Sequence, residues 1–356
     1  MSEPQPSSAP SATLAPIVFG EALVDAFADA LLPGGAPFNV ACHLAALGLR
    51  PLLITRMGDD EGGQQLRATA ARCGLSLRGA QHDAHTARVD VQEHADGHVF
   101  SIPALQAFDR IDATAALAAC AAIDGQGWLY FGTLALRETP SREALQALRA
   151  DGVRRAFVDL NWRDAGPSPA LIQQAVRGAD VLKLSDAELI QMLGWLLLPP
   201  ITRVPVAGEY QRSILLLCTQ LEVRLLLVTH GADGAAAWNA EGFCTARARP
   251  PRRIRAVDTV GAGDAFSALM LAGLLRGRPL PAILNDAVSF ASLSCTWRGA
   301  LPTDMARYEP WRIALDAGAY VVDTLFDDIA PDQRANETRA DSTRVNLAFA
   351  AYRLTE

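Results

Sequence analysis

Small residues and an aspartate stand at the start of a predicted helix in the segment DTVGAGDAFSALMLAGLL, Asp258 to Leu275. Its apolar residues recur at helical spacing, so the helix is predicted to begin at about Asp264. The first N–H groups of a helix have no acceptors inside it, so Gly261, Ala262 and Gly263 would offer backbone donors to an anion. An aspartate there is expected to keep a low pKa and to accept the proton of a hydroxyl that attacks a bound phosphate. The pattern therefore indicates either phosphoryl transfer or a simple turn that Asp264 caps.

The composition limits the partners of the chain. It has 356 residues and a formal net charge of -7, with a pI near 5.4, so nucleic acid is not expected as a partner. No uncharged apolar run reaches the ~18 residues that span a membrane. Residues 1–15 are rich in Ser, Pro and Ala and lack the basic start and the apolar stretch of a signal peptide. We expect a disordered tail over 1–15 and a cytoplasmic protein that binds no membrane.

Lysine is almost absent from the sequence. Lys183, in VLKLSD, is the only lysine of the chain. A P-loop of the form GxxxxGK[ST] needs a lysine directly after glycine, so this loop is excluded. A phosphate site in this protein must therefore work without a P-loop lysine.

Short apolar runs alternate with helix-like segments along the chain. The runs lie at 16–20, 51–58, 128–132, 156–161, 181–184 and 225–231, and the predicted helices include 37–47, 112–123, 141–150, 168–177 and 186–193. Continuous apolar strands between helices are typical of a sheet that is covered on both faces. The sequence therefore predicts an α/β fold with a doubly wound, mostly parallel sheet flanked by helices.

One region breaks this pattern by alternating polar and apolar residues. Arg88–Val91 alternates, a turn follows at Ala95–Gly97, and His98–Ile102 alternates again, which predicts a hairpin with one wet face. The segment Glu21–Leu32 is a candidate to pair with it. Strands at about 20–33 and 86–103 would then form a small lid over one end of the main sheet. A lid suits phosphoryl transfer because it keeps water from the nucleotide.

The opening segment resembles the C-terminal signature of the PfkB family, the ribokinase-like carbohydrate kinases. Six further segments are similar to family elements and follow in the family's order: GGAPFNVACHLAALG (34–48), RMGDDEGG (56–63), TARVDVQEHADGHVF (86–100), VDLNWR (158–163), LVTHGADGA (227–235) and WRGALPT (297–303). The resemblance implies a ribokinase-like kinase domain over 16–303, which leaves a C-terminal extension of unknown role over 304–356. Because GGAPFNVA and DLNWR are similar to fructokinase motifs, it also implies ATP-dependent conversion of D-fructose to fructose 6-phosphate.

The resemblance assigns a role to each matching residue. It implies that Asp264 is the base and that the Gly261–Gly263 backbone is the anion hole. For sugar binding it implies Asp25, Gly35, Asn39 and Arg163, and Arg88 on the lid is a further candidate. For the nucleotide it implies Thr229, Gly231 and Gly234, whereas Val288 stands where many relatives carry an Asn near the adenine.

The resemblance also implies metal ions and a partner. Glu188 matches the family glutamate that holds Mg²⁺ through water, although Ser185 replaces the family's Asn. Asp258 and Val260 would offer backbone carbonyls to a monovalent cation such as K⁺. In this family an exposed lid face often packs against a second copy, which implies a homodimer through the lid.

Two alternatives to a fructokinase stay open at this point. A 2-dehydro-3-deoxygluconate kinase shares the DxNxR feature, although its carboxylate substrate favours an additional cation near the sugar. An inactive regulator that binds sugar or nucleotide is the alternative from another class, because a fold does not fix an activity. A regulator would be expected to lack Asp264 or the glycines before it, whereas this sequence has Asp264 and both glycines.

Overall fold

The computed structural model describes residues 15–27, 30–94, 97–121, 127–151, 155–198, 207–251 and 254–317. The predicted tail over 1–15 lies outside these ranges except for Ala15, and the predicted extension lies outside them from residue 318 onward. Within the ranges given, no helix is long and apolar enough to cross a bilayer.

The strands follow one another in chain order as β1 (Ile17–Phe19), β2 (Leu23–Ala26), β3 (Leu31–Gly34), β4 (Leu52–Met57), β5 (Ala80–His82), β6 (Ala87–His94), β7 (Gly97–Ser101), β8 (Trp128–Phe131), β9 (Arg155–Asp159), β10 (Val181–Ser185), β11 (Leu225–Thr229), β12 (Ala235–Asn239) and β13 (Cys244–Ala248). In the described part of the chain, nine of them form one sheet in the order β13-β12-β11-β10-β9-β8-β1-β4-β5. Neighbours from β11 to β5 pair in parallel, and β12 and β13 add an antiparallel edge.

The helices are α1 (Ala36–Ala46), α2 (Glu61–Cys73), α3 (Ala113–Ala121), α4 (Thr139–Ala150), α5 (Pro169–Val176), α6 (Asp186–Trp195), α7 (Ala207–Leu221), α8 (Ala262–Leu275), α9 (Leu280–Ser294) and α10 (Glu309–Ala317). Successive strand residues pack into two separate apolar cores, since side chains of a strand alternate between faces. In β1, Val18 belongs to one core and Phe19 to the other. Helices α1, α2, α8, α9 and α10 cover the Val18 face, and α3 to α7 cover the Phe19 face. The predicted doubly wound α/β fold is therefore confirmed.

The predicted elements match the observed ones unevenly. The six apolar runs correspond to β1, β4, β8, β9, β10 and β11, and the five predicted helices correspond to α1, α3, α4, α5 and α6. The sequence patterns do not predict α2, α7, α9 or α10, nor β5, β12 or β13. The β12 segment AAAWN and the β13 segment CTARA have few of the residues that favour strands, so pairing with β11 and with each other decides their structure.

A separate small sheet forms over the remaining strands. In the described ranges it has the order β3-β2-β6-β7, with β6 and β7 as an antiparallel hairpin and β2 parallel to β6. The predicted hairpin and its pairing with the segment Glu21–Leu32 are therefore confirmed, and residues 95–96 of the predicted turn lie outside the described ranges. We call this sheet the lid.

The packed structure continues beyond the predicted boundary at 303. Tyr308 and Trp311 are each 1% exposed, and their rings lie 5.7 and 5.2 Å from the ring of Phe290 in α9. The hydroxyl of Tyr308 also lies 2.8 Å from Nδ1 of His43 in α1. The first turns of the predicted extension therefore form part of the core on the α8 face.

Candidate active site

The N-terminus of α8 carries the predicted anion hole. The helix begins at Ala262, two residues before the predicted start, because Gly261 adopts a left-handed conformation (φ 76°) as its N-cap. A Cβ at Gly261 would lie 2.4 Å from Cβ of Ala300, so only glycine fits this turn. The Ala262 N–H donates to the Thr259 carbonyl over 3.3 Å. Among the described residues, the N–H groups of Gly261 and Gly263 have no such backbone acceptor outside the helix, which leaves them available to an anion.

A hydrogen bond joins Asp264 to the first glycine motif. Asn39 lies on α1 and is 5% exposed. Its Nδ2 donates to Oδ2 of Asp264 over 2.8 Å, across 225 residues of sequence. The structure thus brings together the residue predicted to bind sugar and the residue predicted to act as base.

The expected low pKa of Asp264 is wrong. Burial raises its pKa to about 7 and the Asp159 carboxylate adds to this, whereas the Asn39 hydrogen bond and the cations Lys183 and Arg163 oppose it. The helix terminus alone would favour a low pKa of Asp264, but its effect is smaller than the cost of removing a carboxylate from water.

Glu21 is a buried acid of the site that sequence reasoning missed. It is 2% exposed, and burial raises its pKa to about 7, opposed by backbone hydrogen bonds at Glu21 itself and at Ala36, the first residue of α1. Its Oε2 and the Oδ1 of Asn39 are buried, and neither has a hydrogen-bond partner in the described structure. Two acceptors without donors near Asp264 are suited to a ligand that brings hydroxyl groups.

Asp25 projects from the lid strand β2 towards the glycines that precede α1. A Cβ at Gly34 would lie 2.8 Å from Oδ2 of Asp25, and one at Gly35 (φ 99°) would lie 2.7 Å from the carbonyl oxygen of Glu21. Burial raises the pKa of Asp25 to about 6, and the Arg163 guanidinium opposes this rise. Arg163 also lowers the pKa values of Glu21 and Asp264, so the predicted residues Asp25, Gly35 and Arg163 lie around one site.

Arg88 is the predicted sugar residue that the structure does not bring to this cluster. It pairs in register with Val24, so it lies on the lid face opposite to that of Asp25, the next residue of β2. Its side chain is 57% exposed and forms an ion pair with Asp90.

A buried charge network that sequence reasoning also missed lies beneath Asp264. Lys183 of β10 and Asp159 of β9 are register neighbours, and Nζ of Lys183 lies 2.9 and 3.1 Å from the two carboxylate oxygens. Ser267 of α8 and Tyr130 of β8 donate to Oδ2 of Asp159 over 2.8 and 3.3 Å. The signal in the sequence is a charged residue inside each of two apolar strands, because a charge there needs a partner.

Glu188 lies where β10 passes into α6. Its Oε2 accepts from N–H and Oγ of Ser185 over 2.7 and 2.8 Å, and its Oε1 accepts from the Trp162 N–H over 2.8 Å. The Glu188 N–H also donates to Oγ of Ser185, so the two residues form a capping box with Ser185 as the N-cap of α6. Three of about four lone-pair positions of the carboxylate are used, so the residue fits a contact to Mg²⁺ through one water rather than direct chelation.

The predicted nucleotide residues follow β11. Thr229 ends the strand and its Oγ1 donates to the carbonyl of Leu184 in β10 over 3.4 Å. Gly231 (φ 54°) opens a 3-10 turn and Gly234 (φ 94°) closes it, where a Cβ would lie 2.1 Å from the carbonyl oxygen of Ala248. These residues share the carboxyl edge of the parallel strands with Asp159 and Glu188, where ligands of such sheets bind.

The turn before α8 holds the predicted monovalent-cation residues. Oδ1 of Asp258 accepts from the Val260 N–H over 3.0 Å, and its Oδ2 accepts from the Gly299 N–H over 2.8 Å. The side chain of Asp258 is thus used to fix the turn, which leaves backbone carbonyls as the donors for a cation. Neutral carbonyl oxygens of this kind suit K⁺.

The fold is that of a ribokinase-like kinase, and comparison with known proteins gives the family. The pfkB family of carbohydrate kinases matches residues 15–305. A fructokinase of Klebsiella pneumoniae is 34% identical over 308 residues, 80% of this chain and 94% of that protein. A fructokinase of Escherichia coli is 30% identical over 318 residues, 82% of this chain and 96% of that protein. The chain belongs to the pfkB family of carbohydrate kinases and is a sugar kinase.

Solved structures agree with this fold. A fructokinase of Vibrio cholerae, with fructose, ADP and potassium bound, is 25% identical with a TM-score of 0.68, over 84% of this chain and 98% of that chain. A fructokinase of Xylella fastidiosa with bound ATP has a TM-score of 0.70 at 22% identity, over 86% of this chain and 99% of that chain. The second likeness supports the fold alone.

Proposed function

We propose that the protein transfers the γ-phosphate of ATP to O6 of D-fructose. Relatives 30 and 34% identical are fructokinases, and the Vibrio cholerae structure at 25% identity carries fructose and ADP. The site is consistent with such a substrate, because buried oxygens of Glu21 and Asn39 lack donors that sugar hydroxyls would supply.

The hydrogen bond between Asn39 and Asp264 carries this proposal. It connects the glycine motif before α1, the floor of the sugar site, with the helix N-terminus that offers N–H groups to a phosphate. A sugar hydroxyl bound at Asn39 would thus lie beside a carboxylate and an anion hole at once. Positioning of this kind and electrostatic stabilisation together account for most of the catalysis in phosphoryl transfer.

In the proposed mechanism Asp264 accepts the proton of the attacking hydroxyl. A pKa of about 7 leaves about half of this carboxylate ionised at neutral pH and makes it a stronger base than an ordinary aspartate. Within the Gly261–Gly263 turn, the N–H groups of Gly261 and Gly263 then stabilise the negative charge of the phosphoryl oxygens. Asp25 and Arg163 orient the sugar and Thr229, Gly231 and Gly234 hold the nucleotide.

Metal ions form a further part of the proposal. Glu188 would hold Mg²⁺ through water, and the carbonyls of Asp258 and Val260 would hold K⁺. Bound Mg²⁺ supplies neutralisation of phosphate charge during transfer. Mg²⁺ usually keeps several waters and binds substrate phosphates, so phosphate oxygens and water would complete its coordination beside Glu188.

We also propose a cytoplasmic homodimer that associates through the lid. The edge strand β3 exposes 48% of Leu32, an apolar residue that a second copy would cover. The use of ATP as phosphate donor supports the cytoplasmic location. Sedimentation of the wild-type protein and of Leu32→Asp tests the dimer, and a monomeric wild type would rule it out.

The substrate is tested by ADP release with Mg-ATP and a panel of fructose, 2-dehydro-3-deoxygluconate, ribose and adenosine. We expect turnover to be highest with fructose. A maximum with another sugar would keep the kinase mechanism and refute the substrate, whereas sugar binding without any ADP release would refute the enzyme.

The base is tested with Asp264→Asn. This variant should bind sugar and ATP and lose about 10²-fold or more in kcat, the usual contribution of a positioned base. Asp25→Ala is the matched control on the sugar side and should raise the sugar KM. Near-normal turnover of Asp264→Asn would remove Asp264 from the mechanism.

A further inference from the structure

The buried ion pair between Lys183 and Asp159 lies directly under the anion hole. Lys183 is 7% exposed, and its Nζ lies where a Cβ at Gly263 would approach it to 3.1 Å. A side chain at Gly263 would therefore press on the ammonium. Lys183 is the only lysine of the chain, and its charge lies against the backbone turn that binds phosphate in the proposed function.

The same pair also fixes the first turn of α8. Ser267 donates to Asp159 over 2.8 Å, and Ser267 follows Asp264 by three residues, so both lie on one side of the helix. Asp159 is 1% exposed and accepts from Lys183, Ser267 and Tyr130. The first turn of α8 is therefore tied to the sheet at the level of the base.

The charge of Lys183 is shared among acids of the site. It interacts electrostatically with Asp159, Glu188 and Asp264, and these acids raise the pKa of Lys183 against the effect of burial. The lysine in turn lowers the pKa of Asp264, whereas Asp159 raises it. Removing the charge of Lys183 should thus raise the pKa of Asp264, whereas removing the charge of Asp159 should lower it.

We propose that Lys183 is a positioning residue for phosphoryl transfer: through Asp159 and Ser267 it holds the first turn of α8, and it places one positive charge beneath Gly263 and Asp264. This inference rests on the proposed function of Asp264 as base. A buried ion pair is by itself weak support for a role in stability, since an apolar pair often replaces it at no cost.

The first test compares pH profiles of kcat/KM for Lys183→Met and Asp159→Asn. The acid limb reports the pKa of the base in the free enzyme. We expect it to move to higher pH in Lys183→Met and to lower pH in Asp159→Asn, by about one unit each, the lower end of the usual effect of a nearby charge. We also expect kcat of Lys183→Met to fall by about 10- to 100-fold, as for a misplaced catalytic group.

A matched control breaks another buried ion pair on the same helix assembly. Nη1 of Arg278 lies 2.7 Å from Oδ2 of Asp286, and both side chains are at most 5% exposed. Arg278→Met, beyond the other end of α8, should lower stability and leave the acid limb unchanged. If Lys183→Met folds too poorly to assay, Lys183→Arg should retain the wild-type limb, and Asp159→Asn still gives the downward shift. If the acid limb of kcat/KM lies at the same pH in wild type, Asp159→Asn and Arg278→Met, the pair of Lys183 and Asp159 is structural only.

The second test does not need turnover. Because the chain has one lysine, incorporation of [¹³Cε]lysine into a protein without a lysine-containing tag gives one resonance that reports on Lys183. We expect this resonance to shift when a non-hydrolysable ATP analogue binds with Mg²⁺, and to shift less in Asp264→Asn. An unchanged resonance at saturating analogue would overturn the proposal. If no sugar is phosphorylated but the resonance shifts, the proposed function fails while the charge beneath the anion hole stands.

Discussion

Replacing Glu21 by glutamine should make the free energy of unfolding less dependent on pH. The carboxyl group of Glu21 is 2% exposed and lies close enough to Asp264 to interact with it electrostatically. Glutamine has nearly the same shape and keeps an oxygen for the backbone hydrogen bond at Ala36. The substitution therefore removes the buried titration and leaves the packing almost unchanged.

The size of the effect follows from the pKa of Glu21. Burial raises it from 4.5 to about 7 in the folded protein. Between these pH values the folded state binds more protons than the unfolded state, so the free energy of unfolding falls as the pH rises. One pKa unit corresponds to about 1.36 kcal/mol, so the full term is about 3 kcal/mol. It is absent below pH 4.5 and complete above about pH 7.

Urea unfolding at pH 4.5 and pH 8 measures this term on either side of the pI near 5.4. The free energy of unfolding of Glu21→Gln minus that of the wild type should be about 3 kcal/mol more favourable at pH 8 than at pH 4.5. The titrations of Asp25 and of acids that do not interact with Glu21 occur in both proteins and cancel in this difference, whereas that of Asp264 cancels only in part. A difference that is the same at both pH values would refute a buried titrating Glu21.

Three further predictions concern the hydrogen bond to Asp264, the turn before α8 and the packing of α10. Asn39→Ala removes a hydrogen bond to the Asp264 carboxylate that is worth about 1.5–3 kcal/mol, so the pKa of Asp264 should rise by about 1–2 units. As a result, kcat/KM at pH 7 should fall about 5- to 50-fold and the activity should return near pH 9. A loss of activity that is independent of pH would restrict Asn39 to sugar binding. Gly261→Ala should lower the free energy of unfolding by about 1–2 kcal/mol because of the left-handed φ at this position, and by more because of the contact with Ala300. It should also lower kcat, and unchanged turnover would contradict the role of this turn. Trp311→Ala should lower the free energy of unfolding by about 3–5 kcal/mol in urea, and a negligible change would separate α10 from the core.

The fold was predictable because its parallel strands carry a strong signal. Runs such as AFVDLN and LLLVTHG carry consecutive apolar residues rather than alternating ones, which is typical of a strand covered on both faces. The lid hairpin was predictable for the opposite reason, since its alternation indicates one wet face. Segments without either signal, such as β12, acquire their structure from neighbours that the local sequence does not show.

The residues of the site were predictable only where a motif carries them. Asp264 and Asn39 each belong to a glycine motif, but nothing in either motif shows that the two side chains meet across 225 residues. The prediction of a low pKa for Asp264 was wrong for the same reason, because a local pattern shows the helix terminus and not the depth of burial. Desolvation depends on everything packed around the group, and here it outweighs the effect of the terminus.

Lys183 and Asp159 show what a stricter use of the sequence could have found. Each is a charge inside a run otherwise fit for the core, and burial of such a charge without a partner costs several kcal/mol. Two charges of opposite sign in two successive apolar strands therefore indicate a pair, provided that the strands are adjacent and in register. Adjacency of β9 and β10 is a property of the topology, and the register that places Lys183 beside Asp159 is set by the sheet as a whole. The pair could be inferred from the sequence, whereas its place under Gly263 could come only from the packing of α8 on the sheet.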